Sequence, residues 1–341
     1  MFRRDFLASF PVGVAAATAP QVAPRIGVDL FSLRTQGWTA FEHLDYCAKH
    51  GAKVVHFSEI RFLGSLEDDH VKKVAAHARA LGIELEIGMR SICPTSTAFD
   101  PKQGTAGEQL ARLIRAGQIA GSKVVRAFLG TMADRKTAGG IEARIEDAVK
   151  VLRASKSRAQ DAGVKIAIEN HAGDMQGREL RTLVEAAGAD FVGVCYDSGN
   201  PLWTIEDPLL TLETVAPYVL TAHIRDSYLW ATEQGAMVRW TRMGEGNIGM
   251  ENLLRRFVEL CPGKTMSLEV IVTGPRPFNW KQPDFWKGYE KVPAWSFARF
   301  AALAAAGRPQ EYTPVPKEQA QAREREDFEA SNAWMRTFFA V

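Results

Sequence analysis

The segment Gly163-Val164-Lys165-Ile166-Ala167-Ile168-Glu169-Asn170-His171 begins with a glycine suited to a left-handed helix cap, passes through a short aliphatic run and stops on a carboxylate. Its core, Ile166-Ala167-Ile168, is apolar without alternation, as in a parallel strand covered on both faces, and most of the other expected strands read the same way. The same grammar recurs along the chain. Strands are expected at Arg25–Leu33, Lys53–Ile60, Ile83–Met89, Lys123–Leu129, Val164–Asn170, Phe191–Asp197, Val219–Ile224 and Thr265–Val272. Helical patterns lie between them at Phe41–His50, Asp68–Leu81, Glu108–Ala120, Ile141–Ala162, Glu179–Ala187, Asp207–Ala216 and Met250–Glu259, and several end on a capping glycine: Gly51, Gly82, Gly121, Gly163 or Gly188. Strands alternating with helices select an α/β fold. Without a GxGxxG turn after any strand, a closed (β/α)8 TIM barrel is favoured over an open dinucleotide-binding sheet.

The last repeat is stretched. Between strand eight and its helix, expected at Ala294–Ala306, stands an insertion, Thr273–Val292, that carries Phe278, Trp280, Phe285, Trp286 and Tyr289. Such rings serve sugar stacking over the barrel mouth or a subunit contact equally well. A proline-rich link, Pro309–Pro316, then leads to a charged helix with Phe328, Met335 and Phe339 on one face. The expected organisation is a leader at 1–24, the barrel at 25–308, and a linker with a terminal helix at 309–341.

Composition narrows the function classes. The chain has 341 residues, 46% hydrophobic and 24% charged, with a formal net charge of +2. That suits one large core and offers no electrostatic footprint for nucleic acid or an anionic membrane. At the start, Met1-Phe2-Arg3-Arg4-Asp5-Phe6-Leu7 precedes a weakly apolar stretch broken by Pro11 and Gly13, far short of the about 20 residues needed to cross a bilayer. The paired arginines resemble a twin-arginine signal, which implies export to the periplasm; a cytoplasmic protein with a basic tail is the alternative. The four cysteines, Cys47, Cys93, Cys195 and Cys261, lack CxxC spacing and read as separate buried thiols.

The chemistry-bearing residues cluster in the second half. Glu169, Asp197, His223 and Glu269 each stand at or just past the end of strands five to eight, within Ile168-Glu169-Asn170-His171, Tyr196-Asp197-Ser198-Gly199-Asn200, Ala222-His223-Ile224-Arg225-Asp226 and Leu268-Glu269-Val270. In such a barrel all strand C-termini open onto one mouth. A lone charge there is explained by an ion pair, whereas four on consecutive strands point to a shared cation. Three carboxylates and one imidazole form a hard set that suits Mn²⁺ first, with Mg²⁺, Co²⁺ or Zn²⁺ as alternatives.

These contexts, together with Gly244-Glu245-Gly246-Asn247-Ile248, resemble the xylose isomerase-like barrel family, which includes the ketose 3-epimerases. The resemblance spans about Arg25 to Val272. It implies a metal held by Glu169, Asp197, His223 and Glu269, and a sugar isomerase or epimerase that moves a proton next to a carbonyl through an enediolate. Glu269 would act as base and Glu169 as its partner across the substrate. One departure stands out: many ketose epimerases have histidine three residues after the strand-six aspartate, and this chain has Asn200, which hydrogen-bonds but carries no proton at neutral pH. His171 either compensates or serves a structural hydrogen bond. Arg225 and Asp226 either orient substrate and ligand or form an ion pair at the rim, and Glu59 at the end of strand two is a further substrate-contact candidate. Arg126 on strand four reads as the partner of a neighbouring acid.

The resemblance leaves other readings. A metal-dependent lyase or decarboxylase of an oxo-sugar or oxo-sugar acid needs the same charge stabilisation. Type IV endonucleases share the barrel but use a three-metal, histidine-rich cluster, and seven histidines in all, with near-neutral charge, fit that poorly. A non-catalytic sugar-binding barrel is the non-enzyme alternative. A small sugar-derived molecule is the expected partner, and assembly into a homo-oligomer is left open.

Overall fold

The computed structural model describes residues 24–341, so the expected export signal lies almost wholly outside the described residues. Strands follow in chain order as β1 (Arg25–Asp29), β2 (Val54–Phe57), β3 (Glu84–Ser91), β4 (Val124–Phe128), β5 (Lys165–Glu169), β6 (Val192–Asp197), β7 (Val219–Ile224), β8 (Asp226–Ala231), β9 (Ala236–Thr241), β10 (Thr265–Leu268) and β11 (Arg276–Phe278). β1 to β7 and β10 close into a barrel in the order β1-β10-β7-β6-β5-β4-β3-β2. Every pairing around it is parallel, with helices packed outside. The (β/α)8 barrel expected from the sequence is the one observed.

Three strands, β1, β2 and β10, are each four residues shorter than expected. The Asp29 carboxylate accepts the Phe31 N–H at 2.8 Å, which starts a 3₁₀ turn at Leu30–Leu33 and ends β1 four residues early. β10 ends at Leu268, although the ladder continues one step as the Glu269 N–H donates to the Ile224 carbonyl at 3.0 Å. The long helix expected at Ile141–Ala162 breaks at Ser155 into Gly140–Ala154 and Lys156–Asp161.

Inside the barrel the residues are unusually polar. Alternation along each strand and the cross-strand register bring Asp29, His56, Glu86, Arg126, Glu169, Cys195, Asp197 and His223 into the interior, all of them buried. Barrel interiors are normally filled by branched aliphatics. Here Gly88 makes room: a Cβ at that position would lie 2.7 Å from the Ser58 carbonyl oxygen. The aliphatic core lies instead between the strands' outer faces and the helices, with Val55, Ile87, Val125, Ile166 and Val194 all buried.

A three-stranded antiparallel sheet, β11-β9-β8, rises after β7. The sequence reading left this hairpin unassigned. Its rings and those of the aromatic insertion pack on each other and on the helix Ala294–Ala306. Trp203 lies 4.7 Å from Trp240 and 5.8 Å from Phe278, while Trp280 lies 5.4 Å from Phe297 and 5.6 Å from Phe300. Most of the insertion's aromatic surface is thereby used within the chain.

The terminal helix Ala320–Phe339 is tied to the loop after β1. Glu324 accepts from the Thr35 N–H at 3.0 Å, the Thr35 hydroxyl at 2.7 Å and the Gln36 amide at 2.8 Å, and Phe328 and Met335 are buried beneath it. All four cysteines are free and buried. Among the described residues no helix is long and apolar enough to cross a membrane.

Candidate functional site

At the C-terminal mouth, one ligand atom each from Glu169, Asp197, His223 and Glu269 lies within 4.8 Å of all the others. Four consecutive strands of the closed sheet, β5, β6, β7 and β10, deliver them. His223 Nδ1 stands 2.9 Å from Glu269 Oε2 and 3.3 Å from Glu169 Oε2. Asp197 is held by its own turn: its Oδ1 accepts the N–H groups of Gly199 at 2.8 Å and Asn200 at 2.9 Å, leaving Oδ2 toward the cluster. Asn170, next to Glu169, locks β5 to β6 by accepting the Asp197 N–H and donating to the Asp197 carbonyl, both at 2.8 Å.

Two arginines balance part of this charge. Arg126 makes a close ion pair with Glu169 and donates to the Met89 carbonyl at 3.1 Å. Arg225 reaches Asp197 Oδ2 at 2.6 Å and contacts Glu269, with its guanidinium 4.6 Å above the Trp240 ring. Burial disfavours the ionised form of Glu169, but Arg126 and His223 outweigh it and hold the carboxyl down at about 2. Glu269 is likewise depressed against burial by Arg225 and His223. For Asp197 burial prevails over Arg225 and pushes the carboxyl up to about 7. His223 is raised despite burial, through Cys195, Asp29 and Glu169.

The donor set fits a divalent cation. His223 Nδ1 and Glu269 Oε2 are buried and face each other at 2.9 Å without an aligned hydrogen bond, Glu269 being paired with Arg225, an arrangement in which a cation bound between them would find a donor from each. Asp29, Glu86, Glu169, Asp197 and Glu269 share this interior with only Arg126 and Arg225 as fixed cations, an excess of carboxylates that a divalent ion would help to neutralise.

A pH dependence follows. Burial pushes Asp197 up to about 7 and its acidic neighbours raise His223, so a proton on either group would have to leave before that group could ligate. Glu169 is already ionised and adds no pH dependence above about pH 4. Mn²⁺ affinity should therefore rise from pH 6 to pH 8, about tenfold per pH unit for each proton displaced. Calorimetry in two buffers of different ionisation enthalpy reads that proton release directly. Affinity flat across this range would contradict the assignment.

The remaining candidates divide. Asn200 is buried; its amide donates to Glu169 Oε1 at 3.2 Å and its carbonyl oxygen is unpartnered. His171 stacks on Phe128 at 3.9 Å and donates from Nδ1 to the Gly130 carbonyl at 3.0 Å, which leaves Nε2 as an acceptor; burial lowers its basicity. Asp226 turns away from the cluster. Its carboxylate accepts the N–H groups of Ser227 at 2.7 Å and of Gly244 and Gly246 at 3.0 Å each, so it fixes the loop that follows the hairpin. Glu59 pairs with Arg61 at a partly exposed position. Two interior residues escaped the sequence reading, Asp29 and His56. His56 Nδ1 lies 2.8 Å from His223 Nε2, and Asp29 Oδ2 lies 3.3 Å from the same nitrogen.

A closed parallel barrel with carboxylates and an imidazole gathered at its mouth defines a class of small-molecule enzymes, and comparison with known proteins identifies the branch. Residues 44–287 match the model of the xylose isomerase-like TIM barrel, and the chain belongs to that family. A curated relative, 3-oxo-isoapionate decarboxylase of Pectobacterium atrosepticum, is 22% identical over 192 residues, 56% of this chain and 62% of the relative. The chain thus spans less than two thirds of that relative's length. Among solved structures, D-psicose 3-epimerase of Clostridium cellulolyticum H10 is 13% identical with a TM-score of 0.57, over 82% of this chain and 96% of that one. The IolI protein with a bound zinc atom is 16% identical with a TM-score of 0.58, over 82% and 95%. At such identities the structural likeness speaks for the fold alone.

Proposed function

We propose that this protein is a divalent-metal-dependent enzyme that breaks a bond to the carbon beside a carbonyl in a small sugar-derived substrate, in the manner of an isomerase or epimerase. The observation that carries the reading is the buried convergence of Glu169, Asp197, His223 and Glu269, one ligand atom of each within 4.8 Å of all the others. A divalent ion held by these four would polarise the substrate carbonyl and stabilise negative charge on it; Mn²⁺ suits the oxygen-rich set best. The chain's own groups do the rest. Glu269 and Glu169 are both kept ionised by an arginine, so one accepts the substrate's α-proton while the other stands ready to return one. His171 Nε2 is free to accept a hydroxyl proton, and the Asn200 carbonyl oxygen is free to take a substrate hydroxyl hydrogen bond. Trp240, half-buried with its ring against Arg225, offers ring surface beside the site.

A second reading, decarboxylation of an oxo-sugar acid, is favoured by Asn200 and by the arginine-clamped carboxylates. In it the bond to the carboxylate breaks, carbon dioxide leaves, the electron pair stays beside the carbonyl and a proton then closes the carbon. No strong base is required, and a carboxyl held near 2, as Glu169 is, is a weak one. The similarity to a decarboxylase points the same way.

Metal analysis of purified protein, then incubation with ketoses and oxo-sugar acids in deuterated water with Mn²⁺, tests both. Deuterium entering recovered substrate or its epimer supports proton transfer, and released carbon dioxide supports the second reading. Metal-loaded protein that binds sugar and produces neither would leave a binding barrel and sink both.

A further inference from the structure

The four-residue cluster does not account for a second layer of buried polar groups directly behind it. His223 presents Nδ1 to Glu169 and Glu269, while its other nitrogen, Nε2, faces into the barrel and meets His56 Nδ1 at 2.8 Å. The two rings sit 4.8 Å apart at 60°. Asp29 Oδ2 lies 3.3 Å from His223 Nε2 and 3.8 Å from His56 Nδ1. Asp29 is itself fixed, its Oδ1 accepting from the Ser58 hydroxyl at 2.9 Å and the Phe31 N–H at 2.8 Å. Side chains of Asp29, His56 and His223 are all fully buried, so no water competes for these contacts. Glu86 Oε2 stands 3.6 Å from the same His56 nitrogen, beyond hydrogen-bond reach, and is taken by the Thr221 hydroxyl at 2.8 Å.

We infer that His56 and Asp29 are positioning residues that fix the tautomer and the ring plane of His223, so that Nδ1 offers its lone pair to the cation. A neutral imidazole has one donor and one acceptor nitrogen. If Nε2 carries the hydrogen, it donates to His56 Nδ1, with the Asp29 carboxylate as a second acceptor beside it, and Nδ1 is left as the ligand. In the opposite tautomer the Nδ1 hydrogen would point into the cation site, and Nε2, now an acceptor, would face the Asp29 carboxylate at 3.3 Å with no hydrogen between them. Partners behind a ligating histidine typically contribute 10–100-fold in metal affinity. Their arrangement is specific here because Asp29 and His56 come from neighbouring strands in direct register, with β10 between β1 and the strand that carries His223. The inference rests on the metal reading of the four-residue set.

The test is Mn²⁺ titration of the full chain at fixed pH, with metal content measured in parallel. His56→Leu, which keeps bulk and removes the acceptor, should weaken binding by about 10–100-fold. His56→Asn, whose amide oxygen can still accept, should recover part of that loss, and Asp29→Asn should weaken binding to a smaller degree. Glu86→Gln, at a carboxylate that bonds Thr221 and makes no hydrogen bond to His56 or His223, should stay within about twofold. Equal affinity in folded His56→Leu and wild type would overturn the inference. So would an equal loss in Glu86→Gln, which would mean general sensitivity of the core. Two equivalents of metal in wild type, with one lost in His56→Leu, would overturn it differently, by making Asp29, His56 and His223 a cation site of their own. Should His56→Leu fail to fold, nitrogen-15 spectra of Zn²⁺-loaded wild type decide: a protonated Nε2 on His223 supports the inference and a protonated Nδ1 overturns it. Wild type that binds no divalent ion at all would instead sink the metal reading.

Discussion

Asp197→Asn, Glu169→Gln and His223→Asn proteins are each expected to be isolated with little bound metal and to lose at least about a thousandfold in turnover, the equivalent of about 4 kcal/mol of transition-state stabilisation. Each change strikes a group that the fold has immobilised. Asp197 spends Oδ1 on two backbone N–H groups and presents Oδ2 alone to the site, so an amide there replaces a charged donor with a neutral one in fixed geometry. Glu169 accepts from Asn200 on one oxygen and from Arg126 on the other. His223 is the cluster's one imidazole and lies beside both glutamates. Metal content by mass spectrometry and turnover measured with added Mn²⁺ check the expectation together. Full metal retention in all three variants would remove the cation from the account and return the cluster to a set of ion pairs.

These substitutions need not unfold the protein. Asp197, raised to about 7 by burial, is a carboxylate that the metal-free fold carries at some cost, and a neutral side chain there relieves it. A metal-depleted yet folded Asp197→Asn protein is therefore the informative outcome, because function and stability then separate at one residue.

The legible part of this molecule is the part written in local patterns. Continuous aliphatic runs ending on a charge identified strands five to eight and the four converging residues, because a costly buried charge at a strand end is visible in one dimension. Asp29 obeys the same rule, ending Ile26-Gly27-Val28, but was hidden because the apolar run seems to continue through Leu30 to Leu33. Only the capping contact from Asp29 to Phe31 turns the chain there. His56 sits within an apolar run and its role depends on β7, far away in sequence. The β8–β9 hairpin was missed for a related reason. Its strands, Asp226–Ala231 and Ala236–Thr241, are joined by Thr232-Glu233-Gln234-Gly235, which lacks the Asn-Gly or Asp-Gly signature of a tight turn. Asp226 was read as a substrate contact by its closeness to His223 in sequence. Its neighbours in space are the backbone amides of Gly244 and Gly246.

Arg126→Met is expected to produce the largest loss of stability, about 3–5 kcal/mol in the metal-free protein, the usual consequence of stripping a buried charge of its partner. Methionine roughly preserves the stem's bulk, so the loss reports on charge and hydrogen bonding rather than on a cavity. Arg126 lies inside the barrel, where its guanidinium pairs with Glu169 and donates to the Met89 carbonyl. Removing it leaves the Glu169 carboxylate, fully buried, with Asn200 and His223 as its remaining polar neighbours. Glu169 would then lose the main influence that holds its carboxyl down at about 2. Stability that is present above the ordinary carboxylate range, and that fades as pH falls through that depressed value, should accordingly shrink in the variant at neutral pH and vanish as a difference under strong acid. Saturating Mn²⁺ should narrow the gap, since the cation takes over neutralisation of the same carboxylate and stabilises the native state by mass action. Urea unfolding of both proteins with and without the ion reads all four corners of this cycle. A deficit of the same size in the presence and absence of Mn²⁺ would mean that Arg126 and the cation do not share Glu169. A deficit that shrinks with metal would mean that the barrel holds a place for the ion by lending an arginine to one of its ligands.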